Sequence, residues 1–528
     1  MERVTGRFYT PDLLSAGLAT RVAAELAGST GVGLTASKSI RIGDPFVGDG
    51  QLVLALLRAL ACHPCISTKR VVVDIRDTDS VALARAQERI RALALDLRLN
   101  VTIEATVGDS LGRSSLPPHD AVITNPPWEL LKPDARETSA LGVRERARYE
   151  RWLRTRCDEL DSRFPESRAD KSWAGWGTNL ARCGLALCLR SCRAGGALGI
   201  VLPATLMGDQ ASVTMRRTLV EKAALIDLAV YPSEARLFDK VDQPVVAACL
   251  RVGAHGGVVG AVRHFAKDAS VRAQHAIDWS ERGLSSTDYA LPVAHGSEGA
   301  AALTKALAGL PCLATLEEAG LIWAGRELDE TRVAEKLLSD GPFPFVKGRM
   351  VSRHQLVEQP WASVKPELAA RIRSVAHPRL VWRDVARASS KRRMIGAMIP
   401  SGWVAGNSLH VAHVTDGDEE RLLALYAVMM SMAFEAQVRM RLSTGHMSLG
   451  VIRLARVPEL GKRMRQRLAR AAKAALTGET GADARLEVEA ARAYGFCRKD
   501  MGLLLGSFPK LTQPDVEAVL LPALWASR

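Results

Sequence analysis

Between Ile40 and Gly253 short runs rich in Val, Ile, Leu and Ala alternate with helical stretches, a pattern that confines the chain to an α/β fold with a mostly parallel sheet covered by helices. Seven runs carry the strand signal: SIRIGD, RVVVDI, VTIEATVGD, DAVITN, ALGIVLP, AALIDLAV and QPVVAACLRV. Ser80 to Leu97, with Val, Ala, Leu and Ile at helical spacing, reads as a crossover helix. The last two runs are joined by text without a helical pattern and are expected to pair antiparallel at one edge. From Gly253 to about Leu310 the chain turns Gly-, Ala- and His-rich, which reads as a junction. Beyond it come strand-like pieces (FPFVKGRM, RLVWRDVA, MIGAMIP), one long apolar helix from Leu422 to Val438, and a helical tail rich in Ala, Arg, Lys and Leu. The expected organisation is a catalytic domain over 1–255, a junction at 256–310, a mixed α+β domain over 311–460 and a helical region over 461–528.

A chain of 528 residues has room for two or three domains, and 47% hydrophobic with 24% charged residues excludes global disorder. The net charge of +14 favours a polyanionic partner, nucleic acid or an anionic membrane. The apolar run Leu422 to Phe434 falls short of the roughly 20 residues of a spanning helix. The start, MERVTGRFYTP, lacks an apolar signal core. A cytoplasmic protein with no membrane partner is therefore expected. Nine cysteines, an odd number, form no disulfide framework; Cys62-His63-Pro64-Cys65 reads as a loop, and Cys183, Cys188 and Cys192 as buried thiols. No metal site is expected, because no Cys or His set has ligand spacing.

Four strand ends carry candidate chemistry. In Asp44-Pro45-Phe46-Val47-Gly48-Asp49-Gly50, between a strand and an apolar helix, the glycines serve either an ordinary turn or close approach to a nucleotide-like cofactor. Asp74 lies at the end of the next strand, where a carboxylate can accept from ribose hydroxyls, with Ile75 beside it. Asp109, followed by Ser110, closes the third strand, where a carboxylate could receive an adenine amino group. Asn125-Pro126-Pro127-Trp128 follows the fourth strand. The Asn125 side-chain oxygen and the Pro126 carbonyl can accept both hydrogens of one exocyclic amine while Trp128 stacks on the ring that bears it.

These residues resemble the gamma-class adenine-N6 DNA methyltransferases of type II restriction-modification systems, the TaqI-like enzymes. Phe8-Tyr9-Thr10-Pro11 matches the family's N-terminal cofactor motif, DPFVGDG its glycine motif and NPPW its catalytic tetrapeptide, in the family's order. The resemblance covers most of residues 6–253. It implies a Rossmann-like domain with a mostly parallel seven-stranded sheet and S-adenosylmethionine as cofactor. It also implies cofactor contacts from Tyr9, Thr10, Pro11, Asp44, Pro45, Gly48, Gly50, Asp74, Ile75, Asp109 and Ser110. Phe238 matches the aromatic that stacks on a flipped base, though core packing explains it equally well. Phe46, Val47 and Asp49 depart from the smaller residues common in the glycine motif, and Trp128 from the commoner Tyr or Phe. Residues 131–178 exceed what a minimal enzyme needs and could form a lid over the base pocket. With no nuclease segment ahead of Phe8, a methyltransferase without a fused endonuclease is expected.

FVKGRM, PRLVWRDVAR and GHMSLGVIRLARVPEL resemble, more loosely, the family's target-recognition domain. Arg371, Arg373, Arg379, Arg383, Arg387, Lys391, Arg392 and Arg393 crowd one segment, either as phosphate contacts or as a solvated face. Lys347, Arg349 and Arg353 could read base edges or touch phosphates. His446 is open between a DNA contact and a cap. The implied partners are double-stranded DNA and a separate cognate restriction endonuclease. Two other readings remain open: an RNA or protein-glutamine methyltransferase, and a non-catalytic DNA-binding specificity subunit.

Overall fold

The computed structural model describes residues 10–28, 39–112, 115–133, 138, 141–169, 177–238, 243–253, 258–280, 284, 289–291, 307, 309–330, 337–386, 390–442, 446–508 and 510–526. The chain divides into two compact units, Met1–Val293 and Ala294–Arg528.

The first unit is built on one sheet. Its main elements are α1 (Asp12–Gly28), β1 (Ser39–Asp44), α2 (Gln51–Ala61), β2 (Arg70–Asp77), α3 (Ser80–Asp96), β3 (Val101–Val107), β4 (His119–Thr124), α4 (Val143–Arg163), α5 (Leu180–Ser191), β5 (Cys192–Pro203), α6 (Val213–Lys222), β6 (Ala223–Tyr231), β7 (Val245–Val252), β8 (Val258–Phe265) and β9 (Val271–Trp279). The strand order is β9-β8-β6-β7-β5-β4-β1-β2-β3. From β3 across to β5 every pairing is parallel; β7 runs antiparallel to both β5 and β6. All seven expected strands form.

β4 is buried along its whole length, and α2 hides seven of its eleven residues between α1 and α3. This explains why both read as continuous apolar text rather than as alternating patterns. Gly50 opens α2 at φ +86°, and a Cβ there would lie 3.1 Å from the Ala86 methyl, so both backbone and packing require glycine.

Several expectations need correction. The β6–β7 pair is antiparallel, but it lies inside the sheet, because β8 adds parallel to β6 and β9 antiparallel to β8. The sheet thus has nine strands, and residues 258–279, expected as junction, belong to it. Edge strand β9 buries only His275 and Trp279 of its nine residues, so it lacked the apolar content that marks a strand in sequence. Of the cysteine readings, Cys183, Cys188 and Cys192 are buried, while Cys65 sits in a one-turn helix, Pro64–Ser67.

The second unit holds an antiparallel sheet of β10 (Ile322–Gly325), β11 (Arg379–Arg383), β12 (Gly396–Ile399) and β13 (Leu409–Val414) in the order β10-β13-β11-β12. Against it pack α7 (Glu419–Met430) and α8 (Met432–Arg441), then α9 (Lys462–Leu476), α10 (Ala482–Ala493) and α11 (Arg498–Leu505). One apolar core runs from the sheet into these last helices, so the tail expected as a separate region shares a core with the preceding domain. The single helix expected from Leu422 to Val438 is two helices bent by 55°. Ser431 leaves helical geometry at ψ 155°, and its hydroxyl accepts from the Phe434 amide at 3.2 Å, capping α8. Among the described residues no single helix is long and apolar enough to cross a membrane, and this bent pair is buried in the core.

Charged groups lock the bend. Arg392 donates to Glu435 at 2.8 Å, to Glu487 at 2.6 Å and to the Met430 carbonyl at 2.7 Å, while Glu487 accepts from the Met432 amide at 2.6 Å. Arg439 and the Arg393 amide complete the shell of Glu435, each at 2.7 Å. Burial alone would raise the Glu435 carboxyl, but Arg392 and Arg439 hold it down to about 2.

Candidate active site

The carboxyl ends of β3, β2, β1 and β4 are neighbours, so the turns after them converge on one side of the sheet, where open α/β sheets bind ligands. They enclose a cleft of about 350 Å³. Its walls include Gly48 after β1, Asp77 at the end of β2, Asp109 after β3, and Asn125 and Pro126 after β4, with Trp152 and Arg156 of α4 opposite. An added Cβ at Gly108 would meet no atom within 4 Å, so the backbone there opens directly onto this space.

Asn125 is oriented by its own neighbour, its Nδ2 donating to Thr10 Oγ1 at 3.3 Å. That bond ties the end of the N-terminal motif to the tetrapeptide. Thr10 is buried, whereas Phe8 and Tyr9 lie outside the described residues. Beneath the tetrapeptide Gly184 of α5 admits Pro126 so closely that a Cβ would stand 2.4 Å from the proline Cβ. Sequence reasoning missed Gly184, because a lone glycine in an apolar helix carries no sign of its neighbour. Trp128 meets Phe238 edge to face, ring centroids 5.1 Å apart at 71°, and Phe238 is buried.

The glycine turn is braced from below. Asp44 is buried, and one of its oxygens accepts from Thr124 Oγ1 at 2.6 Å and from the Phe46 amide at 3.0 Å. Burial pushes its carboxyl up to about 7, against those two hydrogen bonds. Asp44 is thus a strut between the ends of β1 and β4, and Pro45 and Gly48 line the cleft in its place. Gly50 packs on Ala86, away from the cleft. Pro11 makes a helix-start contact, its carbonyl accepting from the Ser15 amide at 3.0 Å.

Asp74 is not the strand-end carboxylate. It is buried 3.1 Å from His119 Nε2, Ile75 lies in the core, and β2 continues to Asp77. Asp77 faces the cleft; its two oxygens accept from the Gly48 amide at 2.9 Å and the Asp79 amide at 2.8 Å, joining the glycine turn to β2. The signal for it was the helix start: Asp79 caps α3 by accepting from Val81 at 2.9 Å, and the strand must run up to that cap. Asp109 lines the cleft, accepts from the Leu111 amide at 2.9 Å and is ion-paired with Arg156. Ser110 donates to the Pro45 carbonyl at 2.7 Å, fixing the turn after β3 to the turn after β1.

In the second unit most of the expected basic contacts are committed elsewhere. Arg379 is fully buried, paired with Glu327 at 2.9 Å and donating to the Ser374, His377 and Trp403 carbonyls. Arg392, held by Glu435 and Glu487, and Arg393 are buried too. Arg353 donates to Asp483, Glu487 and the Met430 carbonyl, and Arg383 to the Val351 carbonyl at 2.6 Å. Buried as they are, Arg379, Arg392 and Arg393 present nothing to a phosphate. Clustering in sequence does not distinguish an arginine satisfied inside a core from one on a surface. Arg349 is exposed, Lys391 is exposed and paired with Asp515, and Lys347 lies 4.9 Å above the exposed Trp361 ring. Arg387 lies outside the described residues. His446 Nδ1 is 3.3 Å from Asp384.

No family model matches the chain, and no curated protein matches it. Solved structures do. The nuclease-deletion mutant of the Type ISP restriction-modification enzyme LlaGI, in complex with a DNA substrate mimic, is 10% identical over 89% of this chain and 54% of that one, with a TM-score of 0.52. The type IIG restriction endonuclease BpuSI is 12% identical over 95% of this chain and 66% of that one, TM-score 0.43. A putative class I S-adenosylmethionine-dependent methyltransferase from Listeria monocytogenes is 15% identical over 50% of this chain and 67% of that one, TM-score 0.32. The structural neighbours are thus restriction-modification enzymes and methyltransferases, and what the chain shares with LlaGI at this identity is the fold. The chain spans less than two thirds of BpuSI and about half of LlaGI.

Proposed function

We propose that this chain is a sequence-specific DNA adenine-N6 methyltransferase using S-adenosylmethionine, acting in restriction-modification or phage defence. The observation that carries the reading is the position of Asn125, Pro126 and Pro127 at the end of β4, in the wall of a cleft completed by Gly48, Asp77 and Asp109. The cleft residues suit the cofactor. Asp77 stands at the strand end where a carboxylate takes ribose hydroxyls, Gly108 leaves room for a ligand at backbone distance, and about 350 Å³ lies within the ~300–1,000 Å³ of small-molecule sites.

Bound S-adenosylmethionine supplies an electrophilic methyl group. The chain's own task is to make a poor nucleophile reactive, since the adenine N6 lone pair is delocalised into its ring. Asn125 Oδ1 and the Pro126 carbonyl accept the two N6 hydrogens and so localise that lone pair. Thr10 positions the Asn125 amide for this, and proline at 126 and 127 holds the carbonyls in a rigid turn. An adenine within a duplex must leave the stack, and Trp128 with Phe238 supplies aromatic surface for it. A base flanked on both faces needs its partner rings farther apart than 5.1 Å, so base entry requires Phe238 to move from its edge-on contact.

The test is modification-sensitive sequencing of DNA from a methylation-free host expressing the wild type or Asn125→Ala. Methyladenine at one short motif, absent from the variant, is expected. Equal methylation by both, or none by a cofactor-binding wild type, would sink the proposal.

A further inference from the structure

The 21-residue helix α4 has two opposite faces. Leu153, Cys157 and Leu160 form its buried stripe, continued by Phe164 just beyond it. At the helical spacing of i, i+4 and i+7, Arg144, Arg148 and Arg151 form a stripe on the opposite side, and all three are exposed. Among the described residues Arg144 and Arg148 make no hydrogen bond or ion pair, while Arg146 is spent on Glu150 and Arg156 on Asp109. Between 144 and 156 six arginines stand against Glu145 and Glu150.

Stability of the helix does not explain this stripe. The amino end of a helix favours acidic residues, yet Arg144 and Arg146 occupy its first turn, where only Glu145 suits the dipole, accepting from the Gly142 amide at 3.1 Å. The same helix lends Trp152 and Arg156 to the wall of the cleft that Asn125 also lines, and Arg148 and Arg151 precede Trp152 by about one turn or less along it.

We infer that the Arg144–Arg148–Arg151 face of α4 contacts the phosphate backbone of duplex DNA, so that the catalytic unit itself grips the strand next to the base it methylates. The charge complementarity is direct, and the inference rests on the proposed function for its choice of DNA. It gives α4, which lies within residues 131–178, a role in substrate binding.

The experiment uses the full chain and a labelled duplex, with polarisation titrations at several salt concentrations. Each lost phosphate contact lowers the slope of log affinity against log salt by about 0.9, so R144E/R148E should lower it by about 1.8 and weaken binding about tenfold or more near 0.1 M salt. Its S-adenosylmethionine affinity should stay unchanged, and an acidic side chain in the first turn suits the helix dipole better than Arg144 does, so loss of binding is not loss of fold. The matched reversal R85E/R91E, on the exposed side of α3, should leave the slope as in the wild type. An unaltered slope in R144E/R148E, an equal loss in the control, or tighter and equally Arg144-dependent binding of single-stranded RNA would overturn the inference. Normal DNA binding through this face by a wild type that never methylates would instead refute the catalytic reading and leave the interface standing.

Discussion

Arg392→Ala separates two accounts of the basic segment. As a phosphate contact, Arg392 would be exposed, and its loss would leave the fold intact. In the structure its side chain is 8% exposed, and the guanidinium touches two carboxylates, Glu435 and Glu487, with side-chain exposures of 0% and 1%. Removing one partner of a buried ion pair costs about 3–5 kcal/mol, because the remaining charge stays in a medium that solvates it poorly. Here two carboxylates lose their shared cation. A domain of this size shifts about 2–4 °C per kcal/mol, so the second unit should melt roughly 6–20 °C lower. Scanning calorimetry of the full chain reads the shift, and hydrogen–deuterium exchange across residues 419–441 assigns it, since Arg392 and Glu487 fasten the two sides of the Ser431 bend. An unchanged melting temperature, with a salt slope lower by about 0.9 in DNA binding, would refute the buried-network account.

Asp77→Asn should weaken S-adenosylmethionine binding by about tenfold or more, the scale of one charge-assisted hydrogen bond of about 1.5–3 kcal/mol, whereas Asp74→Asn should leave it near wild type; calorimetric titration decides between them. Asp44, with its folded-state value raised to about 7 from 3.8, stabilises the fold fully below pH 4 and loses that contribution as pH rises through 7. The difference is on the order of 4 kcal/mol. Urea denaturation between pH 5 and 8.5 should therefore show stability falling in the wild type and a flatter profile in Asp44→Asn, and parallel profiles would count against it.

The strands of the first sheet were legible because burial on both faces leaves continuous apolar runs, and Asn125-Pro126-Pro127-Trp128 was legible because paired prolines after a strand admit few conformations. Asp109, Ser110, Pro45 and Gly48 were placed by the same strand ends. Local text could not choose between Asp74 and Asp77, which share one strand; only the pairing with β1 and β3 and the cap at Asp79 send one into the interior and the other into the cleft. Nor could it tell that Arg379 and Arg392 point inward, because their carboxylates lie far along the chain at Glu327, Glu435 and Glu487. The sequence by itself determined the alternation that builds the sheet and the turns at its carboxyl edge, since these follow from backbone preference and local apolar content. Tertiary structure alone decided which charges meet each other and which meet solvent, because that depends on desolvation and on partners brought together only when the chain closes.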